Sequence, residues 1–400
     1  MQEIIVKGSD IVILAILVLW VGQQMTQRVS LLTKYSIPVA VTGGLLCSII
    51  VAMIGAAGGP KISFDMAIRD TLLMVFFTTI GISAKFSRLR SGGKALCIMV
   101  ACAAVFLVIQ NVTGVLMASA FGARPAYGLF AGSVSLAGGH GTAIAWGQEA
   151  AAAGLQNAQV IGIAFATFGL VAGGIIGGPV AELLVKKNNL SSAAKESVTD
   201  EDQEHVEEPL SMRRSFGVLF VLAICLSLGE LVNRWLFSNN IKLPGFLTAM
   251  LIGIVVTNLA DKRGKPLCEG DYGHVGDIAL QLFLAMSLMS MDLASISSSF
   301  GMIFVILNVQ VLVITLFAVF IIFRVMGKDY DAAVIAAGFC GLGMGATPVA
   351  IANMNAVTAK YGPSFKAFLV VPLVGAFFID LLNALIIKFF IALPALQQPL

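Results

Sequence analysis

Long apolar segments recur along the whole chain, and short polar stretches separate them. A helix needs roughly 20 mostly apolar residues to cross the hydrocarbon core of a bilayer. Ten segments approach or reach this length, near residues 9–26, 37–58, 71–84, 95–121, 158–186, 216–237, 244–260, 276–291, 301–324 and 363–391. The pattern therefore predicts an all-α polytopic membrane protein.

Two further stretches, 127–149 and 331–356, do not fit this pattern. Both are moderately apolar, rich in Gly and Ala, and interrupted near the middle by Gly or Pro. Because glycine adopts positive φ at little cost, it can end a helix inside such a stretch. We expect each stretch to form a re-entrant hairpin, in which one short helix enters the membrane and a second returns to the same side.

Particular residues at the two hairpin turns are predicted to end one helix and begin the next. In "LAGGHGTAIAW", which begins at residue 136, Gly138 and Gly139 can end the first helix, and Thr142 can cap the second. In "GFCGLGMGATPVAIANMNA", which begins at residue 338, Thr347 is predicted to be the N-cap. Pro348 would then take the first helical position, where its missing N–H costs nothing.

An acidic segment with few large apolar residues, 187–214, divides the chain and is predicted to be a flexible cytoplasmic linker. The flanking halves, 1–186 and 215–400, resemble each other at a nearly constant offset. "IPVAVTGGLL" at 37 matches "LPGFLTAMLI" at 243, "FFTTIGIS" at 76 matches "FLAMSLMS" at 283, and "HGTAIA" at 140 matches "GATPVA" at 345. Because each half holds five spans, an odd number, the halves are inverted repeats, a recurring design of secondary transporters.

The distribution of charge agrees with this topology. If the N-terminus is outside, 18 of the 25 Lys and Arg residues fall on the inner side, as the positive-inside rule requires. Both termini are then outside, the first hairpin enters from outside and the second from inside. Only 12% of the residues are charged, which is far below the level of a soluble domain. The six cysteines match no metal-site or disulfide spacing.

The hairpin tips supply candidate binding chemistry. Backbone groups exposed at membrane depth must be satisfied by protein or by a water-filled cavity. N–H groups at the start of a half-helix favour a carboxylate, whereas carbonyl and hydroxyl oxygens suit a hard cation such as Na⁺. The candidate substrate ligands are Gly138, Gly139, His140, Gly141, Thr142, Gly345, Ala346, Thr347, Pro348 and Asn353. The candidate Na⁺ ligands are Gly341, Gly343, Thr347, Asp380 and Asn383.

Each of these candidates also has an explanation that involves no ligand. The glycines can serve close helix packing, and His140 can make a structural hydrogen bond at its loop. Asp380 and Asn383 share a helical face and can form a structural polar pair. An ionisable residue within the membrane is nevertheless a functional candidate by default. Whether Asn353 lines the pathway stays open.

Six long stretches resemble the bacterial glutamate:sodium symporter family, and the resemblance covers nearly the whole chain apart from the first 25 residues and the linker. They are "SIPVAVTGGLL" at 36, "FDMAIRDTLLMVFFTTIG" at 64, "LAGGHGTAIAW" at 136, "ATFGLVAGGIIGGPVA" at 166, "DYDAAVIAAGFCGLGMGATPVAIANM" at 329 and "GPSFKAFLVVPLVGAFFIDLLNALII" at 362. The family usually has His-Cys-Gly where this chain has Phe339-Cys340-Gly341.

The resemblance implies a transporter rather than an enzyme. It implies L-glutamate as the substrate, Na⁺ as the coupling ion, no organic cofactor and no nucleic-acid partner. It also implies a homodimer in the bacterial inner membrane, with the hairpin-bearing part moving against a scaffold in an elevator-type cycle.

Three other functions remain open on the residues alone. A carrier of dicarboxylates or citrate would share this architecture. An intramembrane hydrolase would need His140 and either Ser133 or Ser135 as a dyad, and the sequence offers no third group to orient it. A passive channel would conduct without dependence on a coupling ion.

Overall fold

The computed structural model describes residues 3–30, 32, 38–86, 93–192, 212–239, 243–290 and 300–397. The predicted linker 187–214 falls largely outside these residues. The helix before it ends at Asn188, and the helix after it begins at Met212.

Helices make up nearly all of the described chain. They are α1 (Ser9–Arg28), α2 (Val39–Ala56), α3 (Ala67–Ser83), α4 (Gly93–Ala120), α5 (Tyr127–Phe130), α6 (Gly139–Ala152), α7 (Ala158–Asn188), α8 (Met212–Ser238), α9 (Gly245–Lys262), α10 (Glu269–Met289), α11 (Phe300–Phe317), α12 (Tyr330–Met344), α13 (Thr347–Tyr361), α14 (Phe365–Leu373), α15 (Ile379–Ile391) and α16 (Pro394–Gln397). Helix α11 continues through a π-helical turn, Ala318–Ile322, to Phe323–Val325, and a second π-helical turn, Val374–Phe378, joins α14 to α15. Two short strands, β1 (Glu3–Val6) and β2 (Lys61–Phe64), pair in parallel.

A helix lies at each predicted span. Among the described residues, seven helices are long and apolar enough to cross a bilayer, and an eighth is added if the bent pair α14–α15 is one span. The other two predicted spans are α3, which has 17 residues, and α10, which is 21 residues long but begins with several charged residues. These two helices pack against each other, and α3 also packs on α9 while α10 packs on α2, so neighbouring helices cover part of their surface.

Matching local geometry supports the sequence pairing of the two halves. Helix α2 follows Pro38, whose φ and ψ are −59° and 140°, and helix α9 follows Pro244, with −58° and 142°. In both cases the residue four positions later, Thr42 or Thr248, donates its N–H to the proline carbonyl. A proline with this extended geometry stops the preceding chain from continuing as a helix.

The helices form two packing groups. The first group contains α1, α2, α3, α8, α9 and α10, and the second contains α4 to α7 and α11 to α15. Most helix contacts lie within a group: α3 packs on α9 in the first group, and α12 packs on α7 in the second. In the described chain, the groups meet chiefly where α10 touches α6 and where α3 touches the turn Val374–Phe378. Each group therefore takes equivalent elements from both halves of the chain.

Backbone contact within the first group depends on a small residue. A Cβ on Gly81 in α3 would overlap the carbonyl oxygen of Met250 in α9. Close approach through small residues is the usual basis of helix association in membranes, because lipid removes the hydrophobic driving force between helices.

Candidate functional site

The second predicted hairpin forms two helices with a sharp break between them. Helix α12 ends at Met344, and α13 begins at Thr347. The predicted cap at Thr347 is wrong: Ala346 is the N-cap residue, with an extended φ of −164°, and no side chain caps the helix. The helical dihedral angles start one residue later than Ala346, so Thr347 already lies within α13. Pro348 lies in the first turn but at the second helical position, because Thr347 takes the first position predicted for Pro348.

The start of α13 offers donors to an anion. The first N–H groups of a helix have no partner within it, and Pro348 has no N–H. The Ala350 N–H bonds to the Ala346 carbonyl at 3.1 Å, which leaves the N–H groups of Thr347 and Val349 for a ligand. The Thr347 hydroxyl faces the second π-helical turn, because a Cβ on Gly375 would overlap it.

The first predicted hairpin is less sharply broken. Its first arm is the short helix α5, followed by turns through residues 131–138, and its second arm is α6. Gly139 adopts a φ of +66°, so the left-handed backbone expected of a glycine occurs here. The predicted cap at Thr142 is wrong, since α6 begins three residues earlier and has Gly138 as its uncapped N-cap residue. Hydrogen bonds from Gly138 N–H to Ser133 O and from Gly139 N–H to Ser135 O close the preceding turns at 2.9 Å.

The two hairpin tips touch each other. A Cβ on Gly139 would lie 3.7 Å from the carbonyl oxygen of Gly345, in van der Waals contact. A Cβ on Gly345 would lie 3.3 Å from the Cα of Leu170 in α7, so this helix passes directly behind the contact. The structure thus brings together candidate substrate ligands from two segments about 200 residues apart in sequence.

Buried amide side chains form hydrogen bonds with the backbone of both hairpins. Gln110 Nε2 donates to the Gly343 carbonyl at 2.8 Å, and Gln310 Nε2 donates to the carbonyls of Gln110 and Ala131, both at 2.9 Å. Asn111 Oδ1 accepts from the Ser133 N–H at 2.9 Å. All three amide residues are 0% exposed. They satisfy the turn backbone at Ala131 and Ser133 and the Gly343 carbonyl in the last turn of α12, which lipid could not do.

Asn383 lies beside the first tip rather than the second. Its Nδ2 donates to the Ser133 carbonyl at 2.9 Å, and its Oδ1 has no partner among the described residues. Asp380 is three positions earlier in the same helix and is half-buried. The other Na⁺ candidates, Gly341, Gly343 and Thr347, lie on the second hairpin, where the Gly341 carbonyl accepts from the Ala346 N–H at 3.1 Å.

His140 makes a hydrogen bond at the start of α6. Its Nε2 lies 2.9 Å from Thr167 Oγ1, and the Thr167 hydroxyl itself donates to the Ile163 carbonyl. Because the Thr167 hydroxyl hydrogen is used in that bond, Thr167 Oγ1 accepts from His140. The neutral ring therefore carries its proton on Nε2, and Nδ1 is an acceptor. The hydrolase dyad is not formed, since His140 Nε2 is bound to Thr167 rather than to Ser133 or Ser135.

Asn353 lies two turns beyond the second tip and is 4% exposed. Its Nδ2 donates to the Gly173 carbonyl at 2.9 Å and to the Ala337 carbonyl at 3.3 Å. These bonds attach α13 to α7 and α12, so packing accounts for the residue. Its role in substrate binding stays a prediction.

The groups available to bind a cation at the tips are mostly uncharged oxygens of backbone carbonyls, hydroxyls and side-chain amides. Within the ranges that the structure describes, no group of three or more His, Cys, Asp and Glu side chains could hold a metal ion. Backbone carbonyls, hydroxyls and amides are the ligands that hard cations accept. Gln110, Asn111 and Gln310 are not among the site residues predicted from the sequence, and the structure places them against the hairpins. Their polarity in mid-span was the available signal.

Comparison with known proteins gives a consistent result. The family model for the sodium/glutamate symporter matches residues 4–363. Curated relatives named "Sodium/glutamate symporter" include those of Escherichia coli K12 and Shigella flexneri, each 42% identical over 95% of this chain and 96% of the relative. The protein of that name from Haemophilus influenzae is also 42% identical, over 94% of this chain and 95% of its own length.

Proposed function

The chain belongs to the sodium/glutamate symporter family, and from this premise we propose that it takes up L-glutamate across a bacterial inner membrane together with Na⁺. It is a membrane transporter and not an enzyme. The observation that carries the proposal is the contact between Gly139 and Gly345, because it gathers helix-start N–H groups and loop carbonyls in one place.

The substrate site lies around this contact. The N–H groups of Thr347 and Val349 bind one glutamate carboxylate at the start of α13, where the helix dipole favours negative charge. The glycine-rich start of α6, residues 138–142, lies on the opposite side of the substrate. His140 Nδ1 accepts from the substrate ammonium, because Nε2 is already bonded to Thr167.

The Na⁺ ligands are oxygens of the same region. The Gly343 carbonyl has a second lone pair beyond the hydrogen bond from Gln110, and Thr347 adds a hydroxyl. The Gly341 carbonyl, also a predicted ligand, already accepts from the Gly345 and Ala346 N–H groups. Asn383 Oδ1 and the Asp380 carboxylate extend the set on α15. Glutamate and Na⁺ are coupled because each favours the arrangement of the tips that the other requires.

The two halves are inverted repeats. The end of α3 lies beside the start of its counterpart α10, since Lys85 Nζ donates to the Leu267 carbonyl at 2.8 Å. Because α3 and α10 pack side by side with the end of one beside the start of the other, they run in opposite directions, as inverted repeats require. The strand pair β1–β2 joins the N-terminus to the α2–α3 connection, both outside in the predicted topology. The central linker is then cytoplasmic and both termini are periplasmic.

Transport follows an elevator-type cycle. The second packing group carries both hairpins and moves as one body along the first group, with which it shares few contacts. Domain motion is the expected behaviour where an interface is sparse. The first group supplies the fixed scaffold, and two copies of the chain form a homodimer, as the family resemblance implies.

The experiment that tests the function is uptake of radiolabelled L-glutamate by sealed proteoliposomes with and without an inward Na⁺ gradient. Accumulation above the outside concentration only with the Na⁺ gradient supports the proposal. Competition by unlabelled citrate or succinate that exceeds competition by L-glutamate would favour a dicarboxylate carrier instead. Accumulation driven by a proton gradient alone would contradict the choice of ion.

A further inference from the structure

A large cavity lies at the boundary between the two packing groups. Its volume is about 910 Å³. The first hairpin contributes Leu129, Phe130 and Trp146 to its wall, and the scaffold group contributes Phe237 and Pro244. The volume is in the range of small-molecule sites, which are mostly apolar with a few well-placed polar groups.

Three ionisable side chains line this cavity: Arg124, Glu149 and Lys388. Arg124 contacts the Gly154 carbonyl through one guanidinium nitrogen at 3.4 Å, and a guanidinium has further donors. Glu149 and Lys388 both line the cavity and lie close enough for each charge to influence the other. The three groups therefore present two positive charges and one negative charge.

One further polar group on the wall is left without a partner in the part of the chain that the structure describes. The indole Nε1 of Trp146 is buried without a hydrogen-bond acceptor there, and the residue is only 3% exposed. Because Nε1 itself has almost no accessible surface, the indole ring rather than its N–H forms this part of the cavity wall. The ring is therefore placed to report on what fills the cavity.

We propose that this cavity is a vestibule in which an α-amino dicarboxylate binds before it reaches the hairpin tips. Arg124 and Lys388 bind the two carboxylates, and Glu149 binds the ammonium group. The charges of the ligand, two negative and one positive, are complementary to those of the wall, two positive and one negative. The inference rests on the proposed function and adds a second substrate position to it.

The vestibule is separate from the tip site. Glu149 is ten residues beyond Gly139 in α6, which places it about 15 Å from the tip at roughly 1.5 Å per residue. Because both arms of the first hairpin form the wall, a solute that follows the hairpin from the vestibule arrives at the Gly139–Gly345 contact. The mixed charges also distinguish an amino acid from a simple dicarboxylate, since Glu149 repels a ligand without an ammonium group.

The test compares Arg124→Gln, Lys388→Gln and Glu149→Gln in proteoliposomes supplied with L-glutamate and a Na⁺ gradient. The first two variants should raise the half-saturating glutamate concentration about 10-fold or more, as expected for loss of one charged hydrogen bond. Their half-saturating Na⁺ concentration should stay at the wild-type value. Lys388→Arg keeps the charge and should restore glutamate affinity. The exposed Lys187, changed to Gln, is the matched control.

Glu149→Gln tests the selectivity. It should reduce the preference for L-glutamate over glutarate, which lacks the amino group, by about 10-fold. A direct binding readout comes from a single-tryptophan protein, in which Trp20 and Trp235, both 62% exposed, are changed to Phe. Trp146 emission should then respond to L-glutamate, and Arg124→Gln should weaken that response.

The outcomes separate the two proposals. If the wild type shows no Na⁺-driven uptake, the proposed function fails, and the vestibule proposal fails with it. If uptake is normal but the three variants keep wild-type affinity and selectivity, only the vestibule proposal fails. A change in Trp146 emission with phosphatidylglycerol but not with L-glutamate would overturn it in favour of a lipid site.

Discussion

Gln310 gives the sharpest test of how the hairpins are held. It lies in α11, is 0% exposed, and donates both Nε2 hydrogens to backbone carbonyls of other elements. Gln310→Leu keeps a side chain of similar size but removes both bonds. The change therefore isolates the polar contact between the span and the first hairpin.

The cost can be worked out from the two acceptors. The Ala131 carbonyl lies in the non-helical turn, and leaving it unpaired costs about 1–3 kcal/mol. The Gln110 carbonyl lies inside α4 and keeps its helical bond, so it adds about 0.5–1.5 kcal/mol. The sum is about 1.5–4.5 kcal/mol, a factor of about 10 to 2,000. Because Gln310 Oε1 has no partner among the described residues and is removed as well, we expect the lower end of this range.

The assay is hydrogen–deuterium exchange of a peptide covering residues 127–139, measured by mass spectrometry in detergent. Opening of the turn limits exchange there, so Gln310→Leu should accelerate it about 30-fold. Asn308→Leu is the matched control, because Asn308 is on the same helix and its side chain bonds to the Phe304 carbonyl of its own turn. Equal exchange in the two variants would refute the idea that Gln310 anchors the hairpin.

Two further substitutions test packing and ion binding. Gly177→Ala should destabilise the protein by about 1–3 kcal/mol, because a Cβ there would overlap Asn353 Nδ2. The control is Gly178→Ala, where a Cβ would meet open space and stability should not change. Equal midpoints of thermal unfolding in detergent would contradict the close contact between α7 and the second hairpin. Thr347→Val and Asp380→Asn should each raise the Na⁺ concentration needed for half-maximal glutamate uptake, and unchanged Na⁺ dependence in both would remove them from the ion site.

The helices follow from the sequence because their signal is local. Apolar runs of sufficient length predict each span, and glycine clusters predict both interruptions. Helix α3 and helix α10 show where this signal weakens: their ends are polar, and packing against neighbours replaces lipid contact. Periodicity cannot reveal such neighbours.

The caps show the limit of local reasoning at single residues. Thr347 and Thr142 are both common N-cap residue types, yet each lies inside its helix. The backbone at Ala346 is extended and that at Gly139 is left-handed, and both residues lie at or next to the contact between the tips. That contact joins distant segments and is not encoded in either hairpin alone.

Side-chain partners were the least predictable part of the site. Asn383 was predicted to bind Na⁺ or to pair with Asp380, and the structure adds a hydrogen bond from its Nδ2 to the Ser133 carbonyl of the first hairpin. Gln110 finds its acceptor 233 positions along the chain. A polar residue in mid-span predicts that some partner exists, whereas only the fold decides which one.

The measurement that tests the central claim most directly is radioactive Na⁺ flux driven by glutamate. Proteoliposomes with equal Na⁺ on both sides receive an inward L-glutamate gradient, and Na⁺ entry is followed. Coupling is reciprocal, so a shared site at the hairpin tips predicts Na⁺ entry that requires L-glutamate and stops when its gradient collapses. Na⁺ entry at the same rate without glutamate, or glutamate entry with no Na⁺, would contradict coupled transport.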